Sequence, residues 1–358
     1  MAKNITSEVE VVCGLDLGDK VSRVCGLSKT SGEVLEESRI RMTPAGMRGR
    51  FEGVRRMRVA IEVGTHSPWV KELLEELGHE VIVANPRKVR LIGESRNKDD
   101  KLDAERLARL ARVDPLLLSP VRHRGKEARV DLGVARSRDA LVKVRTDLIN
   151  HVRGSVKPFG GRVKKCDADA FARVAHDTVP DVLRPALEPI LETIASLTEK
   201  IHQYDKQIKK MVEERYPEAA HVQHIKGVGY LTALVYVLVL EDPERFGKSR
   251  EVGPYLGMVP ARRASGNSDP KLRITKGGDP FLRRLLVNAA HYILGPFGED
   301  CDLRRYGLRL QQRGGAYAKQ RAVIAVARKL AVLMHRLWIT GEVYEPFYNQ
   351  NKSELTAA

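Results

Sequence analysis

Residues 9–28 read VEVVCGLDLGDKVSRVCGLS. Two runs rich in β-branched and apolar residues flank Gly18-Asp19-Lys20, so the stretch predicts a strand, a tight turn and a second strand. Working outward, residues 32–40 (GEVLEESRI) suit a third strand. Residues 59–63 (VAIEV) suit a short buried strand. Ser67 opens SPWVKELLEELG, a helical pattern with Pro68 near its first position and Gly78 just past its end. Residues 79–86 (HEVIVANP) read as a further strand stopped by Pro86. Strands first, then strand–helix–strand, is an α/β layer arrangement with at least one parallel crossover.

Two carboxylates fall inside these apolar strands: Asp16 in GLDLG and Glu62 in AIEVG. A carboxylate embedded among β-branched residues is costly unless it is paired or metal-bound. From Lys98 the pattern becomes helical, with Leu102, Leu107, Leu110 and Ala111 at helical spacing. Asp100 and Asp103 lie three apart there, on one face. Four such carboxylates could hold two Mg²⁺ ions, hard cations that take oxygen ligands and serve phosphoryl transfer. Each residue also has a plainer reading. Asp16 could belong to a turn or an ATPase phosphate loop, and Glu62 to a strand-end ion pair. Asp100 and Asp103 could be first-turn acids favoured by the helix dipole. The order strand-Asp, strand-Glu, helix Asp-x-x-Asp is what favours a metal site; Asp99, about a third of a turn from Asp100, is left out.

Residues 121–165 carry a dense basic set that includes Arg122, Arg124, Arg129, Arg136, Arg138, Lys143, Arg145 and Arg153. Acids are sparse there, and helical periodicity would gather the cations on one face. Residues 181–215 space apolar positions by three and four over several turns, as a coiled coil, a hairpin or an ordinary bundle helix would. The remainder to residue 348 reads as mostly helical, interrupted by a Gly/Ser/Pro-rich stretch at 253–280. The last residues, NQNKSELTAA, read as a flexible tail.

The chain has 358 residues, enough for two domains plus a helical linker, and 42% hydrophobic residues, enough for packed cores. Net charge is +16, which points to a polyanionic partner, nucleic acid above all. Aromatics at 5% argue against base stacking as the main mode of binding. The four cysteines form no C-x-x-C pair and read as reduced thiols. MAKNITSEVE has no apolar core of a secretory signal, and the longest apolar run, residues 231–240, is about half a membrane span. The expected location is cytoplasmic, without a membrane partner.

Residues 98–104 (KDDKLDA) follow Asn85-Pro86; with GLDLG and the strand glutamate they resemble the bridge-RNA-guided DEDD insertion-sequence transposases. Further on, HIKGVGYLTALVYVLVLEDPERF resembles that family's helix-hairpin-helix entry, with Gly227 and Gly229 in the hairpin. YLGMVPARRASGNSDPKLRITKGGDPFLRRLLVNAA resembles its L-G-x-x-P, Ser-Gly, I-T-K-x-G segment, and RAVIAVARKLAVLMHRLW its closing helix. The resemblance implies a RuvC-like domain of RNase H fold at residues 1–120. A basic linker with a coiled-coil-like arm would follow at 121–215, then a mainly α serine-bearing transposase domain with a helix-hairpin-helix at 216–348.

By the same resemblance Asp16, Glu62, Asp100 and Asp103 are metal ligands and Ser265 is the nucleophile. That serine would become linked to DNA at a site shared between protomers, and a bridge RNA would pair with donor and target DNA. Relatives carry more glycine where this chain has GNSDP, which leaves Ser268 as a second hydroxyl; Gly266 and the spacing from Pro260 favour Ser265. Arg262, Arg263, Lys271, Arg273 and Lys276 surround the serine and could offset charge on a phosphodiester. Taken alone, a loop Ser-Gly is usually a turn, and the two hairpin glycines a simple helix–helix turn. His221, His224, His291 and His335 have no ligand-like spacing and read as structural.

The expected reaction is Mg²⁺-dependent strand exchange by a dimer or tetramer. A structure-selective nuclease of the Holliday-junction type, a non-catalytic RNA-binding scaffold and an actin-like ATPase are the alternatives that the residues leave open.

Overall fold

A computed structural model describes residues 9–86, 100–263 and 272–348. The chain divides into two compact units, residues 1–123 and 124–358.

The first unit holds a five-stranded sheet of β1 (Val11–Asp16), β2 (Val21–Ser28), β3 (Val34–Arg41), β4 (Arg58–Glu62) and β5 (Glu80–Ala84), in the order β3-β2-β1-β4-β5. The meander β1–β2–β3 is antiparallel, and β4 and β5 run parallel to β1. This mixed sheet, followed by a helical remainder, fits an RNase H-like domain. Alternation along each strand sends successive side chains to opposite faces. Cys13, Leu15, Val24, Val59, Ile61 and Val83 form one face. Helices α1 (Pro44–Phe51) and α2 (Ser67–Glu76) cover it with Met47, Phe51, Val70 and Leu74. Helix α3 (Asp100–Val113) covers the other. There Leu107 and Ala111 meet Val12, Ala60, Ile82 and Ala84, while Ala104 and Ala108 meet Cys25 and Leu27. Gly14 makes that docking possible: a Cβ built on it would lie 1.9 Å from the Ala104 carbonyl oxygen.

The second unit is helical: α4 (Lys126–Ser155), α5 (Phe171–His176), α6 (Arg184–Arg215), α7 (Pro217–Val222), α8 (Tyr230–Leu240), α9 (Val252–Tyr255), α10 (Pro280–Leu294), α11 (Asp302–Gln312) and α12 (Ala318–Thr340). Helix α8 is its centre, with every residue from Thr232 to Leu240 buried, and Tyr236 Oη donates to the Ala331 carbonyl at 2.6 Å. The apolar series read as a coiled-coil seam is largely filled within the chain. Leu187, Leu191 and Ile194 pack with Ile149, Val152 and Phe171 in the outer part of the arm. Ile208, Met211 and Val212 join Leu132, Ala135 and the α8 core. The base of the arm and the C-terminal helices therefore share one core, and the outer arm has its own. Among the described residues no helix is long and apolar enough to cross a membrane.

The base of the arm is tied by a buried carboxylate. Asp131, 5% exposed, accepts two hydrogen bonds from Arg215, at 3.1 and 2.6 Å, and one from the Tyr216 hydroxyl. Asp131→Ala removes the acceptor shared by the half-exposed Arg215 and the Tyr216 hydroxyl, and we expect a loss of roughly 1–3 kcal/mol in urea unfolding. A loss under about 1 kcal/mol would show that the knot is incidental.

Candidate active site

Asp16 ends β1 and Glu62 ends β4. The parallel register runs to Leu15 opposite Ile61, so the two carboxylates are the next residues on adjoining strands, about 4.8 Å apart strand to strand. They share a face with Gly14 and Ala60, the face that α3 covers. Both are half-buried, and both make interactions within the chain.

Helix α3 begins at Asp100, and Asp103 lies one turn on, ahead of Ala104, Leu107 and Ala108 in the stripe that meets the sheet. Asp103 is half-buried and accepts a hydrogen bond from Arg106 Nη1 at 3.3 Å. The Asp100 side chain lies outside the described residues. Among the described residues no group of three or more His, Cys, Asp or Glu side chains gathers closely enough to hold a metal ion. What the fold brings together is the strand pair Asp16 and Glu62 beneath the start of α3. The donors are all carboxylates, which suits a hard, oxygen-seeking divalent cation.

Two arginines beside this pair escaped the reading of the sequence. Arg23 stands opposite Asp16 on β2, and Arg39 stands opposite Arg23 on β3. One row across the sheet thus runs Arg39, Arg23, Asp16, Glu62, and Arg23 and Arg39 line a pocket of about 330 Å³ with Cys25, Glu37 and Ala104. Such a row can meet the charge of a phosphodiester on one side and a cation on the other. The signal was present in the alternation of the meander, but only a known register converts it into proximity. On the opposite face, burial pushes the Cys13 thiol up to about 12, so it is an inert core residue.

In the second unit, Ser265, Ser268 and Lys271 lie outside the described residues. The stem that carries them is described. Ala261 N donates to Arg273 O at 2.8 Å, Thr275 N to Val259 O at 2.9 Å and Lys276 N to Gly257 O at 3.0 Å. These bonds form a two-stranded ribbon with Arg262, Arg263, Arg273 and Lys276 exposed along it. Gly257 and Gly278, both with positive φ, lie where a Cβ would strike backbone across the base of the ribbon at 2.1 Å. Asp279 then caps α10, accepting from Phe281 N and Leu282 N at 2.9 and 3.1 Å.

That same buried carboxylate receives Arg136 at 2.9 Å and Arg124 at 3.5 Å. Arg138 pairs with Asp205, and Arg145, 7% exposed, with Asp169 and Thr198. Arg153 stacks on Phe171. These cations, read as one phosphate-binding face, are spent in part on holding helices together, and Arg145 points inward. Arg122 and Lys143 are exposed, while Arg129 is half-buried.

Gly227 has φ +90° and Gly229 immediately precedes α8. Together with Thr232, Asn288 and Tyr292 they line an open pocket of about 420 Å³. Burial lowers the pKa of His335, which bridges Ser249 and the Pro243 carbonyl as a neutral ring.

Residues 13–159 match a family model described as "Transposase", of the DEDD type, and residues 219–297 match one described as "Transposase IS116/IS110/IS902 family". The chain is similar to the "Transposase for insertion sequence element IS1111A" of Coxiella burnetii, with 26% identity over 93% of this chain and 91% of the relative. It is also similar to the "Transposase for insertion sequence element IS1328" of Yersinia enterocolitica, with 29% identity over 65% of this chain and 69% of the relative. The first family match includes Asp16, β4 and α3; the second ends just past α10.

Proposed function

The chain is a DNA transposase of the IS116/IS110/IS902 family, and from that premise we propose that it exchanges strands between donor and target DNA under the direction of a guide RNA, through a covalent phosphoserine. The observation that carries the proposal is the in-register pair Asp16 and Glu62 beneath the helix that bears Asp100 and Asp103.

These four residues would hold divalent metal, Mg²⁺ as two ions, which when bound neutralises charge on the phosphoryl group. Arg23 and Arg39 would orient the adjoining phosphate. The Ser265 Oγ forms a bond to phosphorus, the bond from phosphorus to the leaving deoxyribose oxygen breaks, and the serine proton passes to that oxygen. The reverse step moves the strand to a new hydroxyl and regenerates the serine. The ribbon's exposed Arg262, Arg263, Arg273 and Lys276, joined by Lys271, would steady the phosphate during transfer. Gly227 and Gly229 would let backbone N–H groups approach a second phosphate. The exposed part of the basic arm, Arg122 and Lys143 among it, would contact nucleic-acid backbone. Support for the guide RNA, the serine and a dimeric or tetrameric assembly comes from the resemblance of the motifs.

The test is recombination of labelled donor and target by purified protein, with the RNA transcribed from the element's own non-coding end. Product requiring both Mg²⁺ and that RNA is expected. Cleavage by water without the RNA would replace strand exchange with a nuclease.

A further inference from the structure

The excess positive charge of this chain is concentrated where neither family match reaches. Residues 303–341 contain nine arginines and lysines and no aspartate or glutamate, in a chain whose net charge is +16. They make up nearly all of α11 and the whole of α12, which pack as a hairpin. The packing is close at Gly307, where a Cβ would lie 2.5 Å from Leu294 Cδ2 and 2.7 Å from Val326 Cγ2.

The inner cations of the hairpin are engaged. Arg304 donates to the Ile293 and Gly295 carbonyls, Arg305 pairs with Asp300, Arg336 pairs with Glu342 and Lys329 lies over the Tyr306 ring. At the tip the pattern reverses. Arg309, Arg313, Lys319 and Arg321 are all exposed, and among the described residues none of them makes an ion pair with a carboxylate; Arg321 donates only a long bond to the Gly314 carbonyl, at 3.4 Å. The contrast with the arm is physical: Arg136, Arg138 and Arg145 each have a carboxylate within 2.9 Å.

The turn itself presents an aromatic ring. Gly314, Gly315 and Tyr317 take positive φ of 68°, 86° and 61°, and Tyr317 is 74% exposed. A tyrosine in the left-handed region carries a conformational cost that glycine would not. Four exposed cations on the two sides of a turn that carries an exposed ring match the chemistry of an unpaired nucleotide: phosphates on the cations, a base on the ring. Duplex DNA keeps its base faces stacked and offers the ring nothing.

We propose that the tip of the α11–α12 hairpin is a binding site for a single-stranded segment of nucleic acid, with Arg309, Arg313, Lys319 and Arg321 on the backbone and one unpaired base stacked on Tyr317. The proposal rests on the strand-exchange reading only for its class of partner.

The experiment measures anisotropy of a fluorescein-labelled single-stranded oligonucleotide, and of its duplex, with the full chain in EDTA across a salt series. EDTA separates this site from strand chemistry: loss of catalysis leaves the binding result standing, and the converse. Tyr317→Gly removes the ring and relieves the backbone, so the variant should melt no lower than the parent. It should bind the single strand about tenfold more weakly, with duplex binding unchanged. Arg309→Gln, Arg313→Gln, Lys319→Gln and Arg321→Gln combined should flatten the logarithmic salt slope for the single strand by about 3. An unchanged slope, or a Tyr317→Gly variant that binds both probes as the parent does, would overturn the site.

Discussion

Replacing Asp16 by Asn, or Glu62 by Gln, is expected to slow DNA strand cleavage by roughly a hundredfold to a thousandfold while leaving the fold intact. The amide keeps the shape of the carboxylate and removes the charge that a divalent cation would answer. The two carboxylates end neighbouring parallel strands in the same register, with Arg23 opposite Asp16. The amide can still accept hydrogen bonds that the carboxylate accepts, so the melting temperature is expected to stay close to that of the parent. That combination, activity lost and stability kept, separates a working carboxylate pair from a structural one. Equal loss of both, read by melting and by cleavage on the same preparation, would assign the pair to the fold.

Gly14→Val should unfold or remodel the first unit. Its new side chain would enter the space now held by Ala104 and the backbone nitrogen of Ala108, for which even a Cβ is too close, at 1.9 and 2.6 Å. Because the obstacles are backbone atoms of α3, the helix must move as a body. We expect at least about 3 kcal/mol of destabilisation and early proteolysis within α3. Gly14→Ala should show the same effect in weaker form, and cleavage activity should fall with it, since α3 carries Asp100 and Asp103. A Gly14→Val protein with parental melting and activity would mean that α3 does not need its close seat on β1.

The sheet was legible because its grammar is local. The Gly18-Asp19-Lys20 turn separates two β-rich runs, and Pro68 and Gly78 bracket α2. Helix α1 was not, since Gly46 and Gly49 interrupt a short segment with only Met47 and Phe51 buried. The carboxylates were legible as residues, and their adjacency followed once the parallel register of β1 and β4 was known. Arg23 and Arg39 were missed because cross-strand neighbours are distant in sequence. Carboxylate partners of the basic arm were missed for the same reason. The acids that neutralise Arg136, Arg138 and Arg145 lie 143, 67 and 24 residues away, so a scan of 121–165 meets the cations without their partners. The apolar seam of α6 has the period of a coiled coil, yet α4 and α5 fill much of it from within the chain.

The central claim is that the carboxylates and Ser265 act in one reaction. Its most direct measurement is covalent trapping: protein, Mg²⁺, the element's own RNA and labelled donor and target DNA are mixed, denatured and resolved on a gel. The account predicts a protein–DNA adduct that Ser265→Ala abolishes, that Ser268→Ala retains, and that Asp16→Asn also abolishes. Free cleaved DNA without an adduct, unchanged by Ser265→Ala, would contradict it.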